Sequence, residues 1–213
     1  MCRVLAYKGK SVLLADLITR PKNSMITQSY ASKERKEPLN GDGFGIGWYV
    51  PEIDPTPCLF TSITPAWGNR NLHRLAEKIK AECFFAHVRA ATGGLAVTEQ
   101  NCHPFQHGRL LWMHNGSIKE FSKIKRTLRN SLRDDLYQWI QGTTDSEHAF
   151  AVFLNQFPVE KTTFTKEELE DTANKVRTRI HNITQNEHFG HELKNHDYQK
   201  NQMMLDIVNQ AIR

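Results

Sequence analysis

The order of two apolar patterns constrains this chain more than any other feature of its sequence. Short runs rich in aromatic or branched residues and bounded by turn-formers predict strands, at residues 2–7, 44–50, 58–63, 83–88 and 109–114. Apolar residues at helical spacing predict helices, at residues 72–79, 121–140, 147–157 and 169–183. Strands come mostly first and helices mostly later, which favours an α+β fold with helices layered on largely antiparallel sheet.

Chain length and the sparse apolar content near the end set the predicted domain boundaries. The 213 residues suffice for one sizeable core. Residues 1–184 are predicted to form that domain, and residues 185–213 a divergent polar tail with a short helix. Between residues 185 and 202 the large apolar side chains are Phe189, Leu193 and Tyr198, which is too few to offset the entropy of ordering a core segment.

Composition excludes several classes of protein. Apolar residues make up 39% and charged residues 24%, as in ordinary folded proteins. No apolar run reaches about 18 residues, and the first residues lack the apolar core of a signal peptide. We therefore expect a cytoplasmic protein with no membrane partner. Its four cysteines form no CxxC pair, so reduced thiols are expected.

A net charge of +5 raises the question of nucleic-acid binding. The basic residues are scattered, and their densest stretch, residues 123–133, alternates with apolar residues at helical spacing. Those cations are therefore expected on the solvated face of a helix. No known nucleic-acid reader motif accompanies the charge, so no nucleic-acid partner is predicted.

Cys2 is the first candidate for a catalytic group. Once Met1 is removed, the thiol of Cys2 lies within a few bonds of the chain's own α-amine. That amine has a pKa of about 8, so it can take the thiol proton and no histidine base is needed. The plainer alternative is a small buried residue that begins the first strand, which position alone would favour.

Three further segments carry side chains suited to binding and polarising a small polar substrate. Arg89 offers a fork that can hold a carboxylate through two parallel hydrogen bonds. Asn115 and Gly116 place a side-chain amide beside an unobstructed backbone N–H, which suits an oxyanion hole. Asp145, at a predicted helix start, could face an ammonium group. The plainer alternatives are a surface ion pair, a turn and a helix N-cap, respectively.

In this order the residues resemble the class II glutamine amidotransferases, which are N-terminal-nucleophile hydrolases. Four motifs sharpen the resemblance: NGDGFGIGWY at 40–49, PAW at 65–67, FAHVRAAT at 85–92 and NCHPF at 101–105. They are similar to the branch that includes bacterial stand-alone amidotransferases and proteins of ergothioneine synthesis and glutathione breakdown. The resemblance covers residues 1–183. It implies an αββα four-layer sandwich of largely antiparallel sheets, whose C-terminal part could be shortened here.

The resemblance also implies catalytic roles. Cys2 is expected to attack the side-chain amide of glutamine, while Asn115 and Gly116 stabilise the oxyanion. His87, His103 and His114 are expected to be structural hydrogen-bonding groups rather than catalytic ones, as histidines at strand ends beside a charged pocket usually are.

For substrate binding, the resemblance implies that Arg89 holds the carboxylate of glutamine and Asp145 its ammonium group. Thr92 is expected to add a contact, and Asp42 and Gly43 to shape the loop over the pocket. The expected partner is glutamine or a γ-glutamyl small molecule. A homo-oligomer or an acceptor-bearing partner protein stays open.

No cofactor and no metal are expected. Four histidines near the end of the chain could be imagined as a metal site: His181, His188, His191 and His196. Scattered histidines on a polar segment are more often solvated, and no cysteine or carboxylate spacing completes a metal-binding motif.

Two departures from the family pattern leave alternatives open. Ala90 stands where better-known members carry tryptophan, and the return strands expected after Ile183 are not recognisable. One alternative is a γ-glutamyl amide or peptide hydrolase with the same nucleophile and clamp. The other is a catalytically silent subunit or interaction module that keeps the fold but never exposes Cys2.

Overall fold

The structure, a computed structural model, describes residues 2–32, 39–90 and 96–186. The chain divides into two compact units, the first ending at Asn115 and the second beginning at Gly116. The last helix in the described part of the chain ends at Asn186. The rest of the predicted polar tail lies outside the described residues, so the predicted boundary at residue 184 stays a prediction.

The described part of the first unit contains six strands and three α-helices. In chain order they are β1 Arg3–Leu13, α1 Leu14–Ile18, α2 Met25–Tyr30, β2 Phe44–Val50, β3 Asp54–Ser62, α3 Arg70–Ala76, β4 Lys80–Val88, β5 Phe105–His107 and β6 Leu110–Trp112. An antiparallel sheet has the strand order β1-β4-β2-β3, and β5 pairs with β6 in a second, two-stranded sheet. The predicted α+β class with antiparallel sheets is confirmed, although the sequence did not reveal β5, α1 or α2.

Strand β4 lies inside the four-stranded sheet and is its most buried member. Every residue from Cys83 to Val88 is buried, which explains why this strand reads as a continuous apolar run rather than an alternating one. Its Phe84 packs in a core with Leu14 and Ile18 of α1 and Leu72 of α3. The helices of the first unit therefore supply the apolar cover for this part of the sheet.

Two glycines of β2 allow another part of the unit to approach the sheet closely. A Cβ on Gly45 would lie 2.1 Å from the carbonyl oxygen of His103, and one on Gly47 would lie 2.6 Å from Cδ1 of Leu111. Residues two apart on a strand share a face. The glycine spacing thus brings the backbone at residue 103 and strand β6 against one face of β2.

The described part of the second unit is helical. Its elements are α4 Phe121–Asn130, α5 Asp134–Trp139, α6 Asp145–Leu154 and α7 Lys166–Asn186. None of the helices in the described residues is both long and apolar enough to span a membrane.

The helix predicted over residues 121–140 is two helices, because the backbone of Arg133 is extended between them. The N–H of Arg133 donates to Oδ1 of Asn155 over 2.9 Å instead of continuing a helix. The buried residues Ile124, Leu128 and Leu136 keep the spacing of a single helix across this break, so periodicity alone could not reveal it.

Candidate active site

The ends of three adjacent strands bring together three residues that the sequence predicted to belong to the site. Val88, the last residue of β4, pairs with the first residue of β1 on one side and with the first residue of β2 on the other. Cys2, Arg89 and Gly43 each stand one residue beyond these pairs. The antiparallel register therefore places all three at the same end of the sheet.

The thiol of Cys2 is half-buried and lies against the backbone of Ala90. The Ala90 N–H donates to Sγ over 3.4 Å, and Sγ lies 3.6 Å from the Ala90 carbonyl oxygen. The sulfur of Cys2 thus has both a backbone donor and a backbone acceptor within reach. Burial raises the pKa of the Cys83 and Cys102 thiols to about 11, which leaves both protonated at neutral pH.

Arg89 is buried, with 3% of its surface exposed. Its guanidinium donates to the carbonyl oxygens of Asp42 over 3.3 Å and of Ala96 over 3.2 Å. No carboxylate pairs with it among the residues that the structure describes. A buried cation whose partners are all neutral is costly unless an anion binds beside it, so a surface ion pair does not describe Arg89.

Two buried histidines near Arg89 are neutral. The rings of His87 and His103 stack with their centroids 4.2 Å apart. Burial lowers the pKa of His87 to about 3 and that of His103 well below its usual value. A backbone hydrogen bond with His114 opposes the effect of burial at His87, so a hydrogen-bonding role for His87 stays a prediction. The ring nitrogens of His103 have no hydrogen-bond partner in the described part of the chain, so for His103 that role is wrong. They also supply no negative charge to neutralise Arg89.

Asp42 and Gly43 contribute backbone rather than side chains to this end of the sheet. The Gly43 carbonyl accepts from the N–H of Arg89 over 2.8 Å. Gly43 has a φ of 101°, and a Cβ there would lie 2.7 Å from Sγ of Cys102. Only glycine adopts this conformation in this space without strain. Thr92, the other residue predicted here, lies outside the described residues.

Asn115 and Gly116 follow β6 after two buried residues. Asn115 is half-buried and ends the first unit, whereas Gly116 is exposed and begins the second. The strand itself ends at Trp112, two residues earlier than predicted.

Asp145 is the first residue of α6 and not its N-cap. The N-cap is Thr144, whose Oγ1 accepts from the N–H of Glu147 over 3.2 Å. Asp145 instead accepts, through Oδ2, from the N–H of Ile118 over 2.6 Å. The plainer explanation of Asp145 as a cap is therefore corrected, because its carboxylate reaches the segment that follows Gly116.

Sequence reasoning missed the role of Glu147, although a signal for it was present. Thr144 and Glu147 have the same Thr-x-x-Glu spacing as Thr165 and Glu168, a spacing typical of a capping box. The carboxylate of Glu147 accepts from two backbone N–H groups of the preceding loop. The Thr-x-x-Glu spacing does not reveal that the Glu147 carboxylate contacts the preceding loop instead of the N-cap.

The described residues contain no group of three or more His, Cys, Asp or Glu side chains placed to hold a metal ion. Of the four histidines considered from the sequence, His188, His191 and His196 lie outside those residues.

Comparisons with known proteins agree with these observations. The family model described as class-II glutamine amidotransferases matches residues 12–198, a range that begins after Cys2. The probable glutamine amidotransferase DUG3 of Saccharomyces cerevisiae is 51% identical over 162 residues, which are 73% of this chain and 45% of that protein. A γ-glutamyl-hercynylcysteine sulfoxide hydrolase of Mycobacterium tuberculosis is 34% identical over 119 residues, 55% of this chain and 50% of that protein.

A solved structure supports the fold. The glutamine aminotransferase class-II domain protein of Silicibacter pomeroyi superposes with a TM-score of 0.60 at 23% identity, covering 87% of this chain and 66% of that one. The predicted fold family is thereby confirmed, and the two relatives confirm the predicted branch. The chain spans about half the length of these curated relatives, 45% and 50%. With its family model matched over most of its length, the chain belongs to the class II glutamine amidotransferases.

Proposed function

We propose that this chain hydrolyses the side-chain amide of glutamine to glutamate and ammonia through an N-terminal cysteine thioester. One observation carries the proposal: the register of β1 on β4 sets Cys2 beside Arg89, a buried cation that no described carboxylate neutralises. A nucleophile next to an unmatched positive charge suits a substrate that brings its own carboxylate.

In the binding step, the guanidinium of Arg89 takes the α-carboxylate of glutamine. Asp145 binds the ammonium group, because its carboxylate stays negatively charged while it accepts the N–H of Ile118. Thr92 adds a contact.

The chemistry then follows from Cys2. Its thiol gives a proton to the α-amine, and the sulfur attacks the amide carbon. The Asn115 side chain and the Gly116 N–H stabilise the resulting oxyanion. Collapse of this intermediate breaks the C–N bond, the leaving nitrogen takes the proton and departs as ammonia, and a γ-glutamyl thioester remains. Water, deprotonated by the same amine, attacks the thioester and releases glutamate and the thiol.

A glutaminase assay on protein whose N-terminal cysteine is verified by intact mass tests the proposal. Ammonia and glutamate should appear in equal amounts. A chain that retains Met1 should be inactive, because its Cys2 nitrogen lies in a peptide bond. Full activity with Met1 retained would point to a different base and overturn the mechanism.

A γ-glutamyl amide or peptide hydrolase is the second candidate. It is favoured by the similarity to relatives named as γ-glutamyl-hercynylcysteine sulfoxide hydrolases and by the small Ala90 next to Arg89. The same nucleophile and clamp would serve, with an amine in place of ammonia as the leaving group. Comparing kcat/KM for glutamine with that for a γ-glutamyl dipeptide separates the two candidates.

A catalytically silent subunit is the third candidate, and it predicts an intact mass that includes Met1. We also propose a cytoplasmic location, because Cys58, Cys83 and Cys102 form no disulfide in the described part of the chain and reduced thiols suit that compartment. The chain is similar to parts of longer proteins, so an acceptor-bearing partner protein or a second copy of the chain is the partner that we propose to test for. Size-exclusion chromatography with light scattering distinguishes these assemblies.

A further inference from the structure

We propose that Glu147 is a positioning residue that fixes the loop leading into Asp145 and, through Asp145, the segment that begins at Gly116. The inference rests on the proposed function, because Asp145 and Gly116 have the roles given above. It concerns the second unit alone.

Glu147 first holds the loop before α6 through two hydrogen bonds. Its Oε1 accepts from the N–H of Gln141 over 2.9 Å, and its Oε2 from the N–H of Gly142 over 2.8 Å. Glu147 is 4% exposed. Burial raises the pKa of this carboxyl, while the two N–H groups lower it. A buried carboxylate that accepts two backbone bonds holds the loop more firmly than a solvated one would.

The second step leads from the loop to Asp145. Residues 141–144 join the two backbone donors to the helix start, where Thr144 caps the N–H of Glu147. The Thr144 carbonyl also accepts from Nδ1 of His148 over 2.7 Å. Asp145 is thus fixed from both sides, and its Oδ2 in turn holds the N–H of Ile118, two residues after Gly116.

The start of α7 shows that this arrangement exceeds what capping requires. There, Glu168 donates its N–H to Oγ1 of Thr165 over 3.2 Å and accepts from the Thr165 N–H over 2.9 Å. These two bonds complete a capping box, and the same carboxylate also pairs with the side chain of Lys161 over 2.6 Å but accepts from no backbone N–H of the preceding loop among the described residues. In α6, Thr144 makes the equivalent bond, but the carboxylate of Glu147 is directed to the preceding loop.

Glu147→Gln tests the inference, with Glu168→Gln as its matched control. The amide of glutamine can accept only one of the two loop bonds and sets an N–H₂ group against the other donor. We expect kcat/KM for glutamine to fall about 10- to 100-fold, because small displacements of positioning groups have effects of this size. Glu168→Gln should leave kcat/KM unchanged.

A double-mutant cycle with Asp145→Ala separates positioning from general destabilisation. If Glu147 acts through Asp145, Glu147→Gln should lower kcat/KM of the Asp145→Ala variant by less than about threefold, whereas an independent effect would be multiplied in full. Multiplied effects, or wild-type kinetics for Glu147→Gln, would overturn the inference while leaving the proposed function standing. An inactive wild-type protein with a free N-terminal cysteine would overturn both.

Amide hydrogen exchange on the wild-type chain keeps the inference testable if Glu147→Gln does not fold. The N–H groups of Gln141 and Gly142 should exchange as slowly as those in the first turns of α6, although Gln141 lies on the surface. Exchange at the rate of an unstructured peptide would show that Glu147 does not hold the loop.

Discussion

The charged side chains at the strand end of the first unit and at the start of α6 in the second have opposite kinds of partners. Among the described residues, Arg89 has only neutral carbonyl groups as partners. Asp145 accepts one backbone N–H and Glu147 accepts two. The first arrangement leaves a charge for a ligand to neutralise. The second uses negative charge to hold backbone in place. A site residue can thus contribute as a binding group, as a positioning group, or as both.

The largest effect is expected from a substitution that removes the nucleophile at the strand end. Cys2→Ala should abolish glutamine hydrolysis and leave the thermal midpoint nearly unchanged, because a small side chain remains. Ammonia release measures the loss, and Cys58→Ala, which removes an exposed thiol of β3, is the control. Wild-type rates in Cys2→Ala would place the chemistry elsewhere and remove the basis of the comparison.

The oxyanion role predicts the second-largest effect. Asn115→Ala should lower kcat by about two to three orders of magnitude with little change in KM, as loss of an oxyanion donor typically does. Steady-state kinetics on glutamine measure both constants. A rise in KM at constant kcat would instead make Asn115 a binding group, which would move it to the same class as Arg89.

Arg89→Lys tests whether the unmatched charge serves binding. Lysine keeps the charge but cannot reproduce the fork, so one charge-assisted hydrogen bond worth about 1.5–3 kcal/mol is lost. KM should rise about 10- to 100-fold while kcat changes little. Asp145→Asn tests the other binding group in the same way, because asparagine can still accept the N–H of Ile118 but carries no charge to attract an ammonium group. Its KM should also rise. If both variants lowered kcat alone, the proposed division between binding and catalysis would fail.

The sequence predicted the strand end better than the helix start, for physical reasons. Strand β2 has the bounds that its aromatic and branched residues indicated, 44–50. Strand β1 continues past residue 7 to Leu13, because the exposed Gly9, Lys10 and Ser11 on a sheet edge resemble a loop in sequence. Antiparallel register then brings Cys2 and Arg89 together, which required knowledge of pairing and not only of motifs.

The arrangement at the start of α6 depends on contacts that cannot be predicted from the spacing of residues in the sequence. Thr165 and Glu168 have the spacing of a capping box and form one. The same spacing at Thr144 and Glu147 conceals a different arrangement, because the direction of a carboxylate depends on the loop packed beside it. Asp145 was recognised by resemblance, but its bond to Ile118 joins residues 27 apart in sequence.

The smallest expected effect compares the two helix caps directly. Thr144 and Thr165 each accept an N–H from a glutamate three residues later, both over 3.2 Å. Replacing either with alanine should cost about 1 kcal/mol in the free energy of unfolding, because a helix N–H loses its acceptor. Urea denaturation at neutral pH measures this loss. Thr144→Ala should also lower kcat/KM about two- to fivefold, less than Glu147→Gln, since the two loop bonds of Glu147 remain. Thr165→Ala should leave the kinetics unchanged. Equal kinetics for equal losses of stability would mean that the start of α6 is an ordinary cap, and that the carboxylates of Asp145 and Glu147 support the fold rather than the site.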